Sequence, residues 1–231
     1  MINKNELNVI LLCGGKGERL HPLTENMPKP LIFIKGNPIL WYVIEHLKKF
    51  AIMDFIIATG YKSEKLHDYF LDSHKDINVR IVDSGDVDII NRIFDSRKYI
   101  TGDFLVCYGD TLSNVNIYNL IQYHKSHKEK ATMTVWPLRS QFGLVELDIN
   151  GKVVSFKEKP VLDKWINIGY FYFKYEAFSL MSGFNRFENF LDSLALEGEL
   201  NAYRHTGLHI TVNTVRELED AEENISKILE G

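Results

Sequence analysis

The sequence has little of what several classes of protein require. It contains only two cysteines, Cys13 and Cys107. Both lie in apolar segments predicted as buried strands, which argues against a disulfide framework and fits a reducing cytoplasm. The apolar run near the N-terminus stops at Gly14, so it is too short for a signal sequence or a membrane-spanning helix. Positive charge is not in excess, because 27 Lys and Arg face 31 Asp and Glu. We therefore expect neither nucleic acid nor a membrane as a partner.

What the sequence does contain is an alternation of strand and helix patterns in its first half. With 231 residues, of which 45% are hydrophobic, the chain is long enough for one domain with a sizeable core. The predicted strands are 8–13, 54–59, 78–83 and 103–110, and the predicted helices are 38–50, 63–71 and 115–127. Strands separated by helices favour parallel pairing through right-handed crossovers. We predict a Rossmann-like, doubly wound α/β sheet with helices on both faces.

The second half is dominated by strand patterns. They are predicted at 131–138, 143–148, 152–160 and 167–173. The segment "INGK" between the second and the third is typical of a tight Asn-Gly turn. Helices at 188–197 and 216–229 complete the chain. We expect these strands to make the sheet mixed and to add a small antiparallel extension.

The strongest chemical pattern is the stretch "LLCGGKGERLHPLTENMPKP". Gly14 and Gly15 directly follow a strand, which lets backbone amides approach an anion closely and leaves both signs of φ open. Lys16, Arg19 and Lys29 supply three cations near this loop, and two prolines are expected to hold Lys29 in an extended segment. A glycine pair by itself is as often a plain turn. The three cations favour a triphosphate site.

Two well-known phosphate motifs do not match this stretch. "GGKGERL" lacks the GKS/T ending of the Walker loop and the three-glycine spacing of the dinucleotide fingerprint. Ligands of doubly wound sheets bind beyond the carboxyl ends of the strands, which singles out the loops after Cys13, Val82 and Tyr108. Asp110 in "CYGDT" follows the last of these strands, where a carboxylate can hold a magnesium ion. An Asp after a glycine is also a common turn residue.

Together these segments resemble the sugar-1-phosphate nucleotidyltransferases, whose signature is an apolar strand followed by GGxGTRL and PKP. "PILWYVIEHL", "DFIIATGYK", "YGDTLSNVNI", "FKEKP", "WINIGYFYF" and "YRHTG" are similar in particular to the glucose-1-phosphate cytidylyltransferase branch. The resemblance covers nearly the whole chain and implies a GT-A-like fold. It further implies one domain, 1–231, with a nucleotide-binding half at about 1–130, a substrate-binding half at about 131–231, and assembly into homo-oligomers.

The resemblance implies a role for each matching residue. It assigns catalysis to Arg19, Lys29 and Asp110, and it makes Asp110 a ligand of a Mg²⁺ cofactor. The implied nucleotide-binding residues are Leu12, Cys13, Gly14, Gly15, Lys16, Asp83, Ser84, Gly85, Arg92 and Gly109. The implied substrate-binding residues are Gly143, Glu158, Lys159, Asn167 and Gly169. Without the resemblance, "KEK" is typical of a solvated strand end, and an Asn close to a Gly is typical of a bulge or turn.

Some positions depart from the family pattern. Glu18 stands where Thr is usual, and we expect its carboxylate to turn away from the triphosphate because like charges repel. The segment "VDSGDVDIINRIF" is shorter than its glycine-rich family counterpart, and Arg92 is expected to replace the family arginine. In "HITVNT", His209 and Asn213 stand in place of a Trp and an Asp. Asn213 is then a weaker second metal ligand with a neutral oxygen, and His209 receives no role.

We therefore expect transfer of a cytidylyl group from CTP to a phosphorylated small molecule, above all a sugar 1-phosphate, for surface polysaccharide and capsule synthesis. Positioning and charge stabilisation accelerate such a transfer without a nucleophilic side chain. Two alternatives stay open. The acceptor is a non-sugar phosphate such as glycerol phosphate or a phosphonate, or the chain is a regulatory homologue that binds CTP without catalysis.

Overall fold

The computed structural model describes residues 7–230, so the first six residues and Gly231 of the predicted domain lie outside it. The strands are β1 Asn8–Leu12, β2 Phe33–Ile34, β3 Asn37–Pro38, β4 Asp54–Thr59, β5 Asn78–Asp83, β6 Phe104–Tyr108, β7 Leu112–Ser113, β8 Ala131–Arg139, β9 Leu144–Leu147, β10 Val153–Lys157, β11 Val161–Phe173, β12 Leu200–Arg204 and β13 His209–Ile210. The α-helices are α1 Ile39–Lys48, α2 Ser63–Asp72, α3 Ile89–Ser96, α4 Ile117–Lys125, α5 Ala177–Met181, α6 Phe187–Leu196, α7 Val215–Asn224 and α8 Ser226–Glu230.

Seven strands form the central sheet, in the order β12-β8-β11-β6-β1-β4-β5. Strands β6, β1, β4 and β5 are parallel neighbours, whereas β11 runs antiparallel to both β6 and β8. The predicted mixed sheet is therefore confirmed. Strands from both predicted halves share this one sheet, so hydrogen bonds between β11 and β6 join the two halves.

The side chains of β1 explain why helices cover both faces. Val9 and Leu11 pack in the core that includes α1, α4 and α7. Ile10 and Leu12 point the opposite way, into the core that includes α3, α5 and α6. Since successive side chains of a strand alternate between faces, a continuous apolar run requires an apolar layer on each side. The predicted helices on both faces are confirmed.

Several elements differ from the sequence predictions. Strand β11 begins at Val161 rather than 167, because its first half pairs irregularly with β8 through a register shift that a period-two pattern does not reveal. Helices α3 and α5 and strand β12 were not predicted. Helix α3 follows a loop rich in Asp and Gly, yet the carboxylate of Asp88 accepts a hydrogen bond from the backbone N–H of Ile90 at 3.1 Å and caps it.

The predicted antiparallel extension is the hairpin formed by β9 and β10. Its turn contains Gly151 with φ 82°, and the carboxylate of Asp148 accepts hydrogen bonds from the backbone N–H groups of Asn150 and Lys152. The Asn-Gly turn prediction is confirmed. Leu147 and Phe156 of the hairpin are exposed. In the part of the chain that the structure describes, no helix combines the length and hydrophobicity needed to cross a membrane.

Candidate active site

The glycine loop after β1 is shaped by what passes close to it. A Cβ atom on Gly14 would lie 2.3 Å from Nε of Arg92, and a Cβ atom on Gly109 would lie 2.3 Å from Sγ of Cys13. Glycine is therefore required at both positions for space. Of the loop glycines, only Gly17 has a positive φ, at 63°. Of the two signs of φ that glycine leaves open, Gly14 and Gly15 do not use the positive one, and the left-handed conformation falls on Gly17.

Arg92 brings a buried charge into the site without a direct ion pair, although the carboxylates of Asp86, Asp88 and Asp83 act on it electrostatically. It is 6% exposed, and its Nη2 donates to the carbonyl of Gly85 at 3.2 Å. Its Nε has no hydrogen-bond partner among the described residues, and no ion pair within 7–230 includes it. A buried cation without a paired anion is costly. An anion bound at the glycine loop would give Arg92 a direct partner.

The loop after β5 holds the guanidinium of Arg92 through a hydrogen bond. The carboxylate of Asp83 accepts a hydrogen bond from the backbone N–H of Gly85 at 2.9 Å, and Gly85 has φ 70°. This turn aims the Gly85 carbonyl at the guanidinium. Asp83, Ser84 and Gly85 do not line either of the two cavities described below. Of these three residues, Gly85 contacts Arg92 through its carbonyl, and the predicted contact of all three with the base stays a prediction.

Lys29 lies at the centre of the site. Its Nζ is 2.8 Å from Oδ2 of Asp110 and donates a hydrogen bond to Oδ1 of Asn213 at 3.1 Å. Lys29 begins a short 3₁₀ turn, closed by a hydrogen bond from the Leu31 N–H to the Pro28 carbonyl at 2.8 Å. The prediction of an extended segment is thus wrong at Lys29 and holds only for Pro28. The turn aims the ammonium at the ends of the strands.

A two-residue ladder explains why Asp110 and Asn213 meet although 103 positions separate them in the sequence. Strand β7 pairs antiparallel with β13, with Leu112 opposite Ile210 and Ser113 opposite His209. Continuing this register by two positions places Asp110 beside the segment that ends at Asn213. The ladder is too short to be recognised from sequence periodicity, and for that reason the convergence was inferred only through the resemblance.

The pair of Asp110 and Asn213 is a partial site for a metal ion. No group of three or more His, Cys, Asp or Glu side chains suited to a metal occurs among the described residues. The two side-chain oxygens nevertheless face one cation already, the ammonium of Lys29. Magnesium is commonly bound by one or two protein oxygens, with phosphate oxygens and water completing its shell. The residues therefore fit magnesium together with a phosphorylated ligand.

An ion pair bridges the entrance to the glycine loop. Nζ of Lys16 lies 2.7 Å from Oδ2 of Asp86, and both side chains are largely exposed. The hydrogen bond to Asp86 raises the pKa of Lys16. Exposed pairs of this kind contribute little to stability. Breaking the pair so that Lys16 can contact a triphosphate would therefore cost little free energy. Glu18 is exposed but lines the cavity at the glycine loop, so its expected orientation away from the triphosphate stays a prediction.

Two cavities meet at this edge of the sheet. The larger encloses about 1220 Å³ of empty space, its open mouth included. The smaller, more open one encloses about 1000 Å³ on the same measure and contains Lys16, Glu18 and Asp86 in its wall. The wall that the two cavities share consists of Gly14, Gly15, Gly17, Arg19, Lys29, Arg92, Asp110 and Asn213. The cations and the pair of Asp110 and Asn213 thus lie where the two spaces join.

The predicted nucleotide and substrate residues divide according to these cavities. The larger cavity is also lined by Leu12, Cys13 and Asn167. Burial, aided by the negative charge of Asp110, raises the pKa of the Cys13 thiol. The remaining predicted residues lie outside both linings, and they are Asp83, Ser84, Gly85, Gly109, Gly143, Glu158, Lys159 and Gly169.

Gly169 does not line the larger cavity itself but packs against Tyr108, which does. It has φ 78°, and a Cβ atom there would lie 2.4 Å from Cδ2 of Tyr108, which does line the cavity. Its N–H donates to Oδ1 of Asn167 at 2.8 Å. By contrast, Gly143, Glu158 and Lys159 lie at the ends of the β9–β10 hairpin, where a Cβ on Gly143 would be 2.9 Å from Oε2 of Glu158. Their predicted sugar-phosphate role stays a prediction.

Sequence reasoning missed part of the larger cavity. His209, which received no role, lines it together with Ile210, Thr211 and Val212. Tyr108 was recognised only as the end of a strand. The sequence did contain a signal: 209–212 directly precede Asn213. A segment that places one side chain in a site is expected to line that site with its neighbouring residues too.

Comparison with known proteins identifies the family. The family model described as nucleotidyl transferase matches residues 8–195, which is most of the chain. The chain therefore belongs to the nucleotidyl transferase family. A probable glucose-1-phosphate cytidylyltransferase of Bacillus subtilis is 34% identical over 92% of this chain and 93% of the relative. The glucose-1-phosphate cytidylyltransferase of Salmonella typhi is 32% identical over 91% and 93%. The chain is accordingly a nucleotidyltransferase.

Solved structures confirm the GT-A-like fold. A putative glucose-1-phosphate thymidylyltransferase from Bacillus anthracis superposes with a TM-score of 0.75 at 19% identity, covering 95% of each chain. A UDP-glucose pyrophosphorylase solved with UDP-glucose superposes with a TM-score of 0.74 at 18% identity, covering 96% of this chain and 99% of the other. Because these names refer to different bases, the shared fold does not by itself define the base.

Proposed function

We propose that the chain transfers the cytidylyl group of CTP to the phosphate of a sugar 1-phosphate. One observation carries the proposal. Lys29, Asp110 and Asn213 meet on the wall that the two cavities share. A reaction that joins two phosphorylated substrates needs its cationic centre where they meet, since negative charge accumulates there in the transition state.

In the proposed reaction, an oxygen of the acceptor phosphate attacks the α-phosphorus of CTP. A new P–O bond forms, the bond from the α-phosphorus to the oxygen that bridges to the β-phosphate breaks, and pyrophosphate leaves with that electron pair. Arg19, Lys29 and Arg92 offset the charge of the triphosphate. No nucleophilic side chain is needed, and the raised pKa of the Cys13 thiol keeps that group protonated.

We propose Mg²⁺ as the cofactor, held by Asp110 and Asn213 together with phosphate oxygens. The two side-chain oxygens already surround the ammonium of Lys29, which supports a cation at this place. Asn213 contributes a neutral oxygen where a carboxylate would add a full charge, so most of the affinity has to come from Asp110 and the phosphates. When bound, the ion offsets the charge of the departing pyrophosphate.

The choice of CTP rests on the relatives, two of which are named glucose-1-phosphate cytidylyltransferase. A CDP-activated sugar is a donor for glycosyl transfer, and we propose that the product enters surface polysaccharide and capsule synthesis. We place the reaction in the cytoplasm, where CTP is available. The two cysteines support a reducing compartment, since both are free and buried.

A non-sugar acceptor such as glycerol phosphate is the second candidate. It is favoured by His209, which lines the larger cavity at a position where the family resemblance implies a tryptophan. An imidazole is smaller and more polar than an indole, so the cavity suits a smaller, more hydrophilic acceptor.

The test is a matrix of pyrophosphate release with magnesium, crossing CTP, UTP, dTTP, GTP and ATP with sugar 1-phosphates, glycerol 3-phosphate and a phosphonate. We expect release with CTP and a sugar 1-phosphate. Release with CTP and glycerol 3-phosphate alone would select the second candidate. Calorimetry measures CTP binding in parallel, and binding without release from any acceptor would overturn the proposed transfer.

A further inference from the structure

The larger cavity contains a histidine that the proposed chemistry does not use. His209 lines the cavity, and its Nδ1 is buried without a hydrogen-bond partner among the described residues. An unsatisfied buried polar atom costs free energy comparable to a lost hydrogen bond. Because Nδ1 has no accessible surface, a ligand in the cavity meets the accessible part of the half-buried ring and not this atom.

The imidazole of His209 is uncharged at neutral pH. Burial lowers its pKa to about 4, and the nearby His205 adds a smaller effect in the same direction. In a neutral imidazole one ring nitrogen donates a hydrogen bond and the other accepts one. A hydroxyl can meet either need because it is both a donor and an acceptor. A fully ionised phosphate only accepts, so it can pair only with the ring nitrogen that carries the proton.

The ring is held in place from two directions. Its centroid lies 5.4 Å from that of Trp136, and Nε1 of Trp136 donates to the carbonyl of Gly207 at 3.0 Å. The backbone of His209 pairs with Ser113 in the short ladder that also positions Asp110. A side chain fixed by packing and by its own backbone ladder presents its nitrogens in a defined direction, as a selective contact requires.

The charges of the cavity argue against a cationic acceptor. Among the described residues that line the larger cavity, Asp110 is the only carboxylate, and it is paired with Lys29. An amino-alcohol phosphate would therefore find no free counter-charge. Asn167 and Thr211 add uncharged polar groups to the same lining. Uncharged polar groups of this kind suit hydroxyl groups, and Arg19, Lys29 and Arg92 in the same lining suit the phosphate of the acceptor.

We propose that His209 is a specificity-determining residue that binds a hydroxyl group on the carbon portion of the acceptor. The acceptor is then a sugar or polyol phosphate and carries no cationic group. This inference rests on the proposed function, because that function makes the larger cavity the acceptor site.

The kinetic test compares wild-type enzyme with His209→Phe, which keeps an aromatic ring against Trp136, and with His209→Asn, which restores a polar amide. The substrates are glucose 1-phosphate or glycerol 3-phosphate, whichever is turned over, and its monodeoxy analogues. We expect loss of one particular hydroxyl to lower kcat/KM about tenfold in wild type and to have no effect in His209→Phe. His209→Asn should recover part of this discrimination. Equal losses in all three enzymes would overturn the proposal.

A binding test separates this inference from the reaction itself. The ¹⁵N shifts of the imidazole nitrogens are recorded with CTP while glucose 1-phosphate or glycerol 3-phosphate is added. The signals missing in His209→Phe identify His209, and the other histidines serve as internal controls. A shift confined to His209 without turnover would uphold this residue and reject the transfer. Turnover without a shift and without hydroxyl discrimination would uphold the transfer and reject the role of His209. Absence of both turnover and shift would reject both proposals.

Discussion

The edge around the glycine loop and the β9–β10 hairpin differ in how their residues are held. At the glycine loop, the side chain of Arg92 packs against Gly14. Lys29 contacts both Asp110 and Asn213, and these three residues come from distant parts of the chain. In the hairpin, the strands pair with each other in a separate two-stranded sheet. Its apolar side chains are exposed, from Leu144 at 42% to Ile149 at 100%.

This difference separates two grounds for assigning a site. The loop residues are supported by contacts across the sheet, by a buried arginine without a direct ion pair and by two adjoining cavities. For Glu158 and Lys159, at the end of the hairpin, only the family resemblance supports a role in the site. Neither residue lines the cavities. The following substitutions, ordered by expected effect, test whether both regions serve one reaction.

The largest effect is expected at Lys29. Lys29→Ala removes the charge between Asp110 and Asn213 and should cost about 2–4 kcal/mol of transition-state stabilisation, as does loss of a preorganised electrostatic contact elsewhere. Steady-state pyrophosphate release measures kcat/KM. Lys65→Ala is the control, because Lys65 is an exposed lysine of α2 that lines neither cavity. Near-normal turnover of Lys29→Ala would remove Lys29 from the catalytic centre.

A pair of glycines compares the two regions directly. Gly169→Ala and Gly151→Ala both place a side chain at positive φ, 78° and 82°, but only Gly169 has a ring, that of Tyr108, in the way. We expect Gly151→Ala in the hairpin to lose about 1 kcal/mol of unfolding free energy and Gly169→Ala about 2–4 kcal/mol. Urea unfolding measures both. Equal losses would show that Tyr108 moves aside easily.

Lys159→Met tests whether the hairpin takes part in binding the acceptor. If the implied contact with the sugar phosphate exists, KM for the acceptor should rise about tenfold with kcat little changed, since a charge-assisted contact is lost in both ground and transition states. Lys157→Met is the control, as Lys157 lies two positions earlier and is exposed. Identical KM values for both variants would place the hairpin outside the acceptor site.

The smallest effect is expected for Asn213→Asp. The added carboxylate should lower the magnesium concentration at half-maximal activity by about threefold to tenfold, because Mg²⁺ prefers charged oxygen ligands. Competition by Lys29 for the same carboxylate limits the gain. Asn150→Asp introduces the same charge at the exposed hairpin turn and should leave the titration unchanged. An unchanged titration in Asn213→Asp would show that this side chain does not face the metal.

The sequence predicted well those features that depend on neighbours in the chain. The apolar run of β1, the apolar face of α1 and the Asn-Gly turn each follow from local periodicity or local backbone preference. Predictions were weaker where a segment mixes signals. Helix α3 follows several turn-forming residues, and the first half of β11 pairs out of simple register.

By itself the sequence determined the order of strands and helices, the glycine loop with its cations and the family, because each of these is encoded in contiguous residues. Only the tertiary structure decided that Arg92 is buried over Gly14, that the ladder from β7 to β13 brings Asn213 to Lys29, and that His209 faces the larger cavity. The reason is physical. Such contacts join residues far apart in the chain, and their geometry follows from how the whole sheet and its loops pack.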